Sequence, residues 1–168
     1  MKKISARIVL VLLVLVLTVV ADQVTKKIAQ ATLMDGRTRY LAGDVFVLQY
    51  VENRGAFLGM GSGFPGPVRI VVFVAFPLIM LAGLIVFMFG KMDAGTPFLL
   101  GLAFVTGGGI GNLIDRILYH GSVTDFMNLG IGNIRTGIFN FADFFVLVGL
   151  GLIIVFEFSK KPAPPKEQ

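Results

Sequence analysis

The chain has 168 residues, of which 55% are hydrophobic and 15% are charged, and its net charge is +5. Soluble domains are usually about one quarter charged, so the composition indicates an integral membrane protein. The absence of cysteine excludes disulfides, thiolate metal ligands and thiol nucleophiles. With His120 as its sole histidine, one chain cannot form a multi-histidine zinc site. The positive charge does not require nucleic acid as a partner, because basic residues also orient membrane helices.

Four segments are apolar and of a length typical of membrane-spanning helices, which need about 20 residues. They lie at about residues 8–21, 70–90, 97–114 and 138–158. The first segment could also be a cleaved signal peptide, because it follows basic residues and ends in a small-residue sequence. We favour a retained span, since the apolar run is long for a signal peptide.

Four spans place both chain termini on the same side of the membrane. Each side carries seven basic residues, with Arg69 at the edge of the second span, so counting does not decide the orientation. Basic residues near the first span usually dominate the orientation, and they predict cytoplasmic termini.

The longest non-spanning segment covers residues 22–67. Residues 23–33 can form a short helix, and residues 40–51 are rich in strand-forming side chains. Glycines and prolines at 59–67 predict a flexible turn, and the polar tail at 160–168 is expected to be disordered. We predict one domain for the whole chain, residues 1–168.

Polar residues cluster at the ends of the apolar segments, where burial near hydrocarbon is costly. The cluster comprises Asp22 at the end of the first span, Asn112, Asp115 and Arg116 at the end of the third, and Asn140 and Asp143 at the start of the fourth. Because successive spans alternate in direction, all these positions lie at one membrane surface. In the orientation above, that surface is extracytoplasmic.

Local spacing brings these groups closer together. Asn112, Asp115 and Arg116 share one helix face, and Asn140 and Asp143 have the same i, i+3 relation. Asp125 lies in the connecting loop. Asp143 is expected in the first helical turn, where the helix dipole favours a carboxylate.

A pair of carboxyl groups in one site is suited to hydrolysis. Both cannot ionise easily, so one keeps its proton and acts as an acid while the other acts as a base. The sequence therefore predicts aspartic-protease chemistry with no metal and no cofactor.

Structural roles are the alternative for each of these residues. Asp22 and Asp115 could form ion pairs with Lys26 and Arg116, and Asp143 could cap its helix. Asn112 and Asn140 could join helices by hydrogen bonds. The glycines at 107–111 are more consistent with close helix packing than with phosphate binding, and His120 is expected to be an ordinary loop residue.

Two other functions are also compatible with acidic side chains in a small bundle of membrane helices. A transporter or proton-conducting bundle would place acids along a path near the bilayer midplane, whereas these acids cluster at one surface. A non-enzymatic assembly or lipid-binding protein would not depend on Asp125 or Asp143.

Five sequence segments together resemble the bacterial lipoprotein signal peptidases, also called signal peptidase II. These are DQVTK (22–26), ENRGAFLG (52–59), GGGIGNLIDR (107–116), VTDFMNLG (123–130) and IFNFADFFVLVG (138–149). They occur in the family's order and cover nearly the whole chain, so the resemblance is specific.

The resemblance implies an aspartyl peptidase of the bacterial inner membrane. Such enzymes remove the signal peptide of prolipoproteins whose lipobox cysteine carries diacylglycerol, cleaving on the N-terminal side of that cysteine. The implied catalytic pair is Asp125 and Asp143. The implied supporting residues are Asp22, Asn53, Asn112, Asp115, Arg116 and Asn140. We expect a monomer with prolipoprotein and membrane lipid as its partners, no nucleic acid and no cofactor.

The resemblance also implies an all-α membrane fold with four transmembrane helices, a small extracytoplasmic β-cradle and a short amphipathic helix. In this arrangement Asn112 and Asn140 would orient the aspartates, and Arg116 would position the substrate or fix the carboxylates. The sheet and the glycine-rich loop at 59–66 would clamp the substrate. The sequence does not say which aspartate is the base.

Overall fold

The protein is a four-helix membrane bundle with a small sheet at one end. The computed structural model describes residues 2–55 and 60–159. The helices are α1 (Lys2–Leu33), α2 (Gly66–Ile70), α3 (Phe76–Gly90), α4 (Thr96–Leu118) and α5 (Phe141–Phe158). The strands are β1 (Arg39–Leu41), β2 (Phe46–Asn53), β3 (Val123–Ile131) and β4 (Ile134–Arg135). Predictions for Gly59 and for the tail at 160–168 lie outside the described residues.

The four predicted spans are confirmed as helices of sufficient length and apolarity to cross a membrane. They are Ile4–Leu33, Gly66–Gly90, Thr96–Leu118 and Phe141–Phe158. In the most apolar window of α4, 50% of the residues are buried within the protein, against 11%, 6% and 11% in the other three spans. Helix α4 is therefore the centre of the bundle, and the other spans expose apolar side chains to lipid.

The second span joins α2 to α3 through a π-helical turn at Val71–Ala75. Pro77 follows in the first turn of α3. Proline has no N–H and its ring crowds the carbonyl four residues earlier, so regular α-helix cannot continue through it. In the π turn the backbone hydrogen bonds join residues five apart instead of four, so the helix continues past Pro77 with a local change of bonding partners.

Helix α1 is longer than its membrane-spanning part. Its 32 residues correspond to about 48 Å, against about 30 Å for a bilayer core. The helix predicted at residues 23–33 is present, but it continues the first span without a break. Because Val11 on this helix is buried in a cluster with Leu99 and Ala103 of α4, the first span is part of the packed bundle.

The four strands form one antiparallel sheet in the order β1-β2-β3-β4. The single strand predicted at residues 40–51 is instead two strands, because Ala42 and Gly43 have positive φ and turn the chain. Asp125 was predicted to lie in a connecting loop, but residues 123–131 form β3, which pairs with β2. This second prediction was wrong because strand pairing with residues about 75 positions away decides the structure there.

The sheet packs on the end of α1 that projects from the bundle. Ala29 and Leu33 of α1 form a buried cluster with Phe126 and Met127 of β3. Met127 also forms an isolated bridge with Phe139, which leads into α5. These contacts bring β3 and the start of α5 to the same end of the bundle.

Candidate active site

All eight residues predicted for the site lie at the sheet end of the bundle. Asp22 lies on α1, Asn53 on β2, Asn112, Asp115 and Arg116 on α4, Asp125 on β3, and Asn140 and Asp143 at the start of α5. Hydrogen bonds connect seven of them into one network, whereas Arg116 is joined to neighbouring backbone instead.

Asn140 links the two predicted catalytic carboxyl groups. Its side-chain Nδ2 donates to Asp125 Oδ1 over 2.6 Å, and its backbone N–H donates to Asp143 Oδ2 over 3.2 Å. Its Oδ1 also accepts from the Asp143 backbone N–H, which makes Asn140 and Asp143 a capping box for α5. Asn140 is therefore the N-cap residue rather than a neighbour on a helix face, and it holds both carboxyl groups beside each other.

Asp125 is buried, with 3% of its surface exposed. Its Oδ2 accepts from Asn53 Nδ2 over 2.9 Å, and its Oδ1 accepts from Asn140. Burial raises the pKa of Asp125 to about 6, and the negative charge of Asp143 adds to the rise, while the Asn53 and Asn140 hydrogen bonds oppose it. Asp125 thus keeps a proton at pH values where an ordinary aspartate has lost it.

Asp143 is half-buried and hence more accessible than Asp125. Its Oδ1 accepts from Asn112 Nδ2 over 2.9 Å, and Oδ1 of Asn112 in turn accepts from Asn140 Nδ2 over 3.0 Å. The two asparagines thus fix the orientation of Asp143 between α4 and α5, as expected for supporting residues.

Asp22 of α1 and Asp115 of α4 lie around the buried Lys26, whose Nζ joins them to the rest of the network by donating to Asn112 Oδ1 over 2.9 Å. Lys26 Nζ lies 2.8 Å from Asp22 Oδ2 and 3.3 Å from Asp115 Oδ2, and all three side chains are at most 2% exposed. Of the two ion pairs considered as a structural alternative, Asp22 with Lys26 is present, whereas Asp115 pairs with Lys26 instead of Arg116. Lys26 was missed as a site residue, although its spacing of four from Asp22 was a usable signal.

Asp22 and Asp115 also accept hydrogen bonds from backbone groups next to the predicted catalytic pair. Asp22 Oδ1 accepts from the Ala142 N–H over 2.8 Å, and Asp115 Oδ2 accepts from the Thr124 N–H over 2.9 Å. Each acid therefore holds the residue that immediately precedes Asp143 or Asp125. Gln23, a second missed residue, donates to both acids and to the Gly111 carbonyl.

Arg116 supports the loop after β2. Its guanidinium donates to the carbonyls of Gly55, over 2.8 Å, and Gly121, over 3.2 Å, and it lies 5.0 Å from the ring centroid of Phe73. Within the described residues it donates no hydrogen bond to an aspartate, which argues against a direct role in fixing the carboxylates.

The glycines of α4 allow close helix packing, as predicted. A Cβ on Gly108 would lie 2.5 Å from the Ala142 carbonyl oxygen, and one on Gly111 would lie 2.5 Å from Asp22 Oδ2. Small residues are thus required where α4 passes the start of α5 and the buried acid of α1.

Within residues 2–55 and 60–159, no group of three or more His, Cys, Asp or Glu side chains is placed to hold a metal ion. The charged groups also lie together at one end of the bundle instead of along a path through it, which disfavours the transporter alternative.

Comparison with known proteins identifies the family. The profile of "Signal peptidase (SPase) II" matches residues 14–159. The chain belongs to the signal peptidase II family. It is therefore a peptidase, and with its four apolar helices it is a multi-pass membrane protein.

Individual relatives agree with this assignment. The chain is 34% identical over 159 residues to the lipoprotein signal peptidase of Pelodictyon phaeoclathratiforme, with 89% of this chain and 90% of the relative covered. It is 37% identical over 147 residues to that of Fusobacterium nucleatum, with 86% and 83% covered.

Two solved structures have the same fold. A bacterial membrane enzyme determined by the in meso method at 2.3 Å resolution is 30% identical, with a TM-score of 0.76 and coverage of 92% of this chain and 94% of that chain. A second such enzyme, at 1.9 Å resolution, is 29% identical with a TM-score of 0.70 and coverage of 90% and 94%.

Proposed function

We propose that this signal peptidase II family member is an aspartic peptidase that removes the signal peptide from diacylglyceryl-modified prolipoproteins. It cleaves on the N-terminal side of the lipobox cysteine. The main support for the proposal is the position of Asn140 between the two carboxyl groups. Its side-chain amide donates a hydrogen bond to Asp125, and its backbone N–H donates one to Asp143. Two carboxyl groups held by one residue form the acid–base pair that metal-free peptide hydrolysis needs.

Asp143 is the base and Asp125 is the acid in this proposal. Asp143 is the more accessible of the two, and its position at a helix N-terminus stabilises a carboxylate. Asp125 is buried, and its raised pKa of about 6 lets it keep a proton in the free enzyme up to about that pH.

Hydrolysis then proceeds in two proton-balanced steps. Asp143 removes a proton from water as the water oxygen bonds to the scissile carbonyl carbon, while Asp125 gives its proton to the carbonyl oxygen. When the tetrahedral intermediate collapses, the C–N bond breaks and Asp143 donates its proton to the departing cysteine nitrogen. Asp125 recovers a proton from the hydroxyl, so both carboxyl groups return to their starting states.

The remaining site residues support this pair. Asn53, Asn112 and Asn140 orient the carboxyl groups, and Asp22 and Asp115 hold the backbone beside them. Arg116 donates to the carbonyl of Gly55, two residues after Asn53, and so helps to hold the backbone beside Asn53. We propose that Arg116 contributes to substrate positioning through this backbone.

We place the enzyme in the bacterial inner membrane with both termini in the cytoplasm. The even number of spans and the basic N-terminal segment support this orientation. The site then lies near the extracytoplasmic surface, where the acyl chains of the substrate stay in lipid and its peptide bond meets water. The whole chain, residues 1–168, acts as one peptidase domain and as a monomer.

The test is cleavage of a synthetic diacylglyceryl-cysteine prolipoprotein peptide in detergent. We expect Asp125→Asn and Asp143→Asn each to lower the rate by about 100- to 10,000-fold, the range of general acid–base catalysis. Asp93→Asn is the matched control, because Asp93 is exposed in the loop between α3 and α4. All variants are compared by thermal unfolding to show that they fold.

Two outcomes would contradict the proposal. Normal cleavage by a folded Asp125→Asn or Asp143→Asn variant would place the chemistry elsewhere. Absence of cleavage by the folded unmodified enzyme would reject the substrate.

A further inference from the structure

A cavity opens at the sheet end of the protein, away from Asp125 and Asp143. It has a volume of about 520 Å³, and its lining includes Glu52, Arg54, Arg69, Leu118 and Tyr119. None of the eight residues of the candidate active site lines it.

The cavity lies on the opposite face of the sheet from the carboxyl pair. Asn53 of β2 directs its side chain to Asp125. Successive residues of a strand point to opposite faces, so Glu52 points away from that pair. The cavity and the peptidase site are thus separated by the sheet.

Two guanidinium groups and one carboxylate line the cavity. Within residues 2–55 and 60–159, no ion pair is recorded for Arg54 or Arg69. Arg69 donates through NH2 to the His120 carbonyl over 3.2 Å, and its Nε is buried with no hydrogen-bond partner among those residues. Within the described residues, the Glu52 carboxylate accepts one hydrogen bond, from the Tyr50 hydroxyl over 3.2 Å. The cavity therefore offers unpaired positive charge beside one negative charge.

The depth of the cavity corresponds to the membrane interface. Arg69 lies in the first turns of the second span, and Leu118 is the last residue of the third. Val68, Ile70 and Leu118 are exposed apolar side chains at this level. Arginine at the end of a span characteristically meets lipid headgroups.

We propose that this cavity binds the headgroup of a membrane phospholipid that carries both a phosphate and an ammonium group, as phosphatidylethanolamine does. Arg54 and Arg69 bind the phosphate, since guanidinium groups form charge-assisted and often bidentate hydrogen bonds with phosphate. Glu52 binds the ammonium group and disfavours headgroups that are only anionic. The exposed apolar side chains beside the cavity contact the acyl chains.

The test is native mass spectrometry of the purified, delipidated full chain in detergent. The probes are dioleoyl-phosphatidylethanolamine, dioleoyl-phosphatidylglycerol, dioleoylglycerol and inorganic phosphate. We expect one phosphatidylethanolamine per chain. Arg54→Gln and Arg69→Gln should each weaken its binding about tenfold, the effect of losing one charge-assisted hydrogen bond.

Two further variants sharpen the test. Glu52→Gln should abolish the preference for phosphatidylethanolamine over phosphatidylglycerol. Arg37→Gln, a control on an exposed arginine that does not line the cavity, should leave binding unchanged. Thermal unfolding of each variant in detergent, compared with that of the unmodified chain, shows whether the variant folds.

Several results would overturn the proposal. Equal binding of dioleoylglycerol would show that the headgroup is not recognised. Binding of inorganic phosphate without any preference among the lipids would indicate a free-anion site. Unchanged lipid binding by the Arg54 and Arg69 variants would place the lipid elsewhere.

Discussion

Asp22 and Asp115 have different partners from Asp125 and Asp143, although all four are buried or half-buried acids. The first two share Lys26 and bind backbone N–H groups, so their charge is used to hold α5 and β3 in place. Composition alone cannot distinguish these roles, because the distinction depends on which acids have a cation as a partner.

Lys26 should contribute strongly to the stability of the folded protein. In Lys26→Met, Asp22 and Asp115 remain buried without a counter-charge, and breaking a buried ion pair in this way costs about 3–5 kcal/mol. We expect a markedly lower midpoint of thermal unfolding in detergent. The adjacent Lys27 is exposed and bonds Tyr119, so Lys27→Met is a matched control that should cost at most about 1 kcal/mol. Equal midpoints for the two variants would contradict this role of Lys26.

Loss of the Asp125 proton should cause the decrease of kcat/KM on the alkaline side of the pH profile. Its pKa is raised from 3.8 to about 6, so the proton needed for catalysis is present below about pH 6 and is lost above it. We expect kcat/KM, which reports on the free enzyme, to fall as the pH rises through this value.

The Asn53→Ala variant tests whether Asp125 is the group whose titration lowers kcat/KM at high pH. The Asn53 hydrogen bond lowers the pKa of Asp125, so its removal should raise the pKa and move the decrease to higher pH. Asn133→Ala, on an exposed turn, should leave the profile in place. A decrease that stays at the same pH in Asn53→Ala would mean that another group titrates.

At the level of elements, the site depends on how closely α4 and α5 approach. Gly101 and Gly149 face each other across this contact, and a Cβ on Gly149 would lie 2.6 Å from the Gly101 carbonyl oxygen. The same contact continues at Gly108 and Ala142, next to the capping box that holds Asp143. Helix packing in the membrane therefore determines the position of Asp143, the proposed base.

Gly108→Ala should lower both stability and activity. The added methyl would displace the Ala142 backbone, and overpacking of this kind costs about 1–3 kcal/mol. A shift of about 1 Å near a catalytic group can lower the rate about 100-fold. Gly151→Ala on α5 is the control, since its Cβ meets nothing within 4 Å. Thermal unfolding and peptide cleavage measure the two effects, and normal behaviour of Gly108→Ala would refute the packing argument.

At the scale of the whole molecule, the two ends of the four-span bundle differ. One end holds the sheet and the charged site, and the other ends in the short loop between α3 and α4. The orientation of these ends in the membrane decides whether the site meets exported substrates.

The orientation can be measured directly because the chain contains no cysteine. We expect Asn133→Cys, in the turn between β3 and β4, to react with a membrane-impermeant maleimide in intact spheroplasts. Asp93→Cys, in the loop between α3 and α4, should react only after permeabilisation. The reverse pattern would place the site in the cytoplasm and contradict the proposed topology.

The sequence by itself determined the four spans, the clustering of polar residues at one surface and the family. Apolar runs of about 20 residues have few alternatives to a membrane helix, because backbone groups in lipid must be hydrogen-bonded within the segment. Residues close in sequence, such as Asn140 and Asp143, also revealed their contact through helical spacing.

Only the tertiary structure decided the partners that are distant in sequence. It made Lys26, rather than Arg116, the counter-ion of Asp115, and it paired β2 with a segment predicted as a loop. It also distinguished Asp125, whose pKa is raised by burial, from the more accessible Asp143, because this difference comes from burial beneath other elements. Such contacts depend on how helices and strands pack together, and that packing is not encoded in any local pattern.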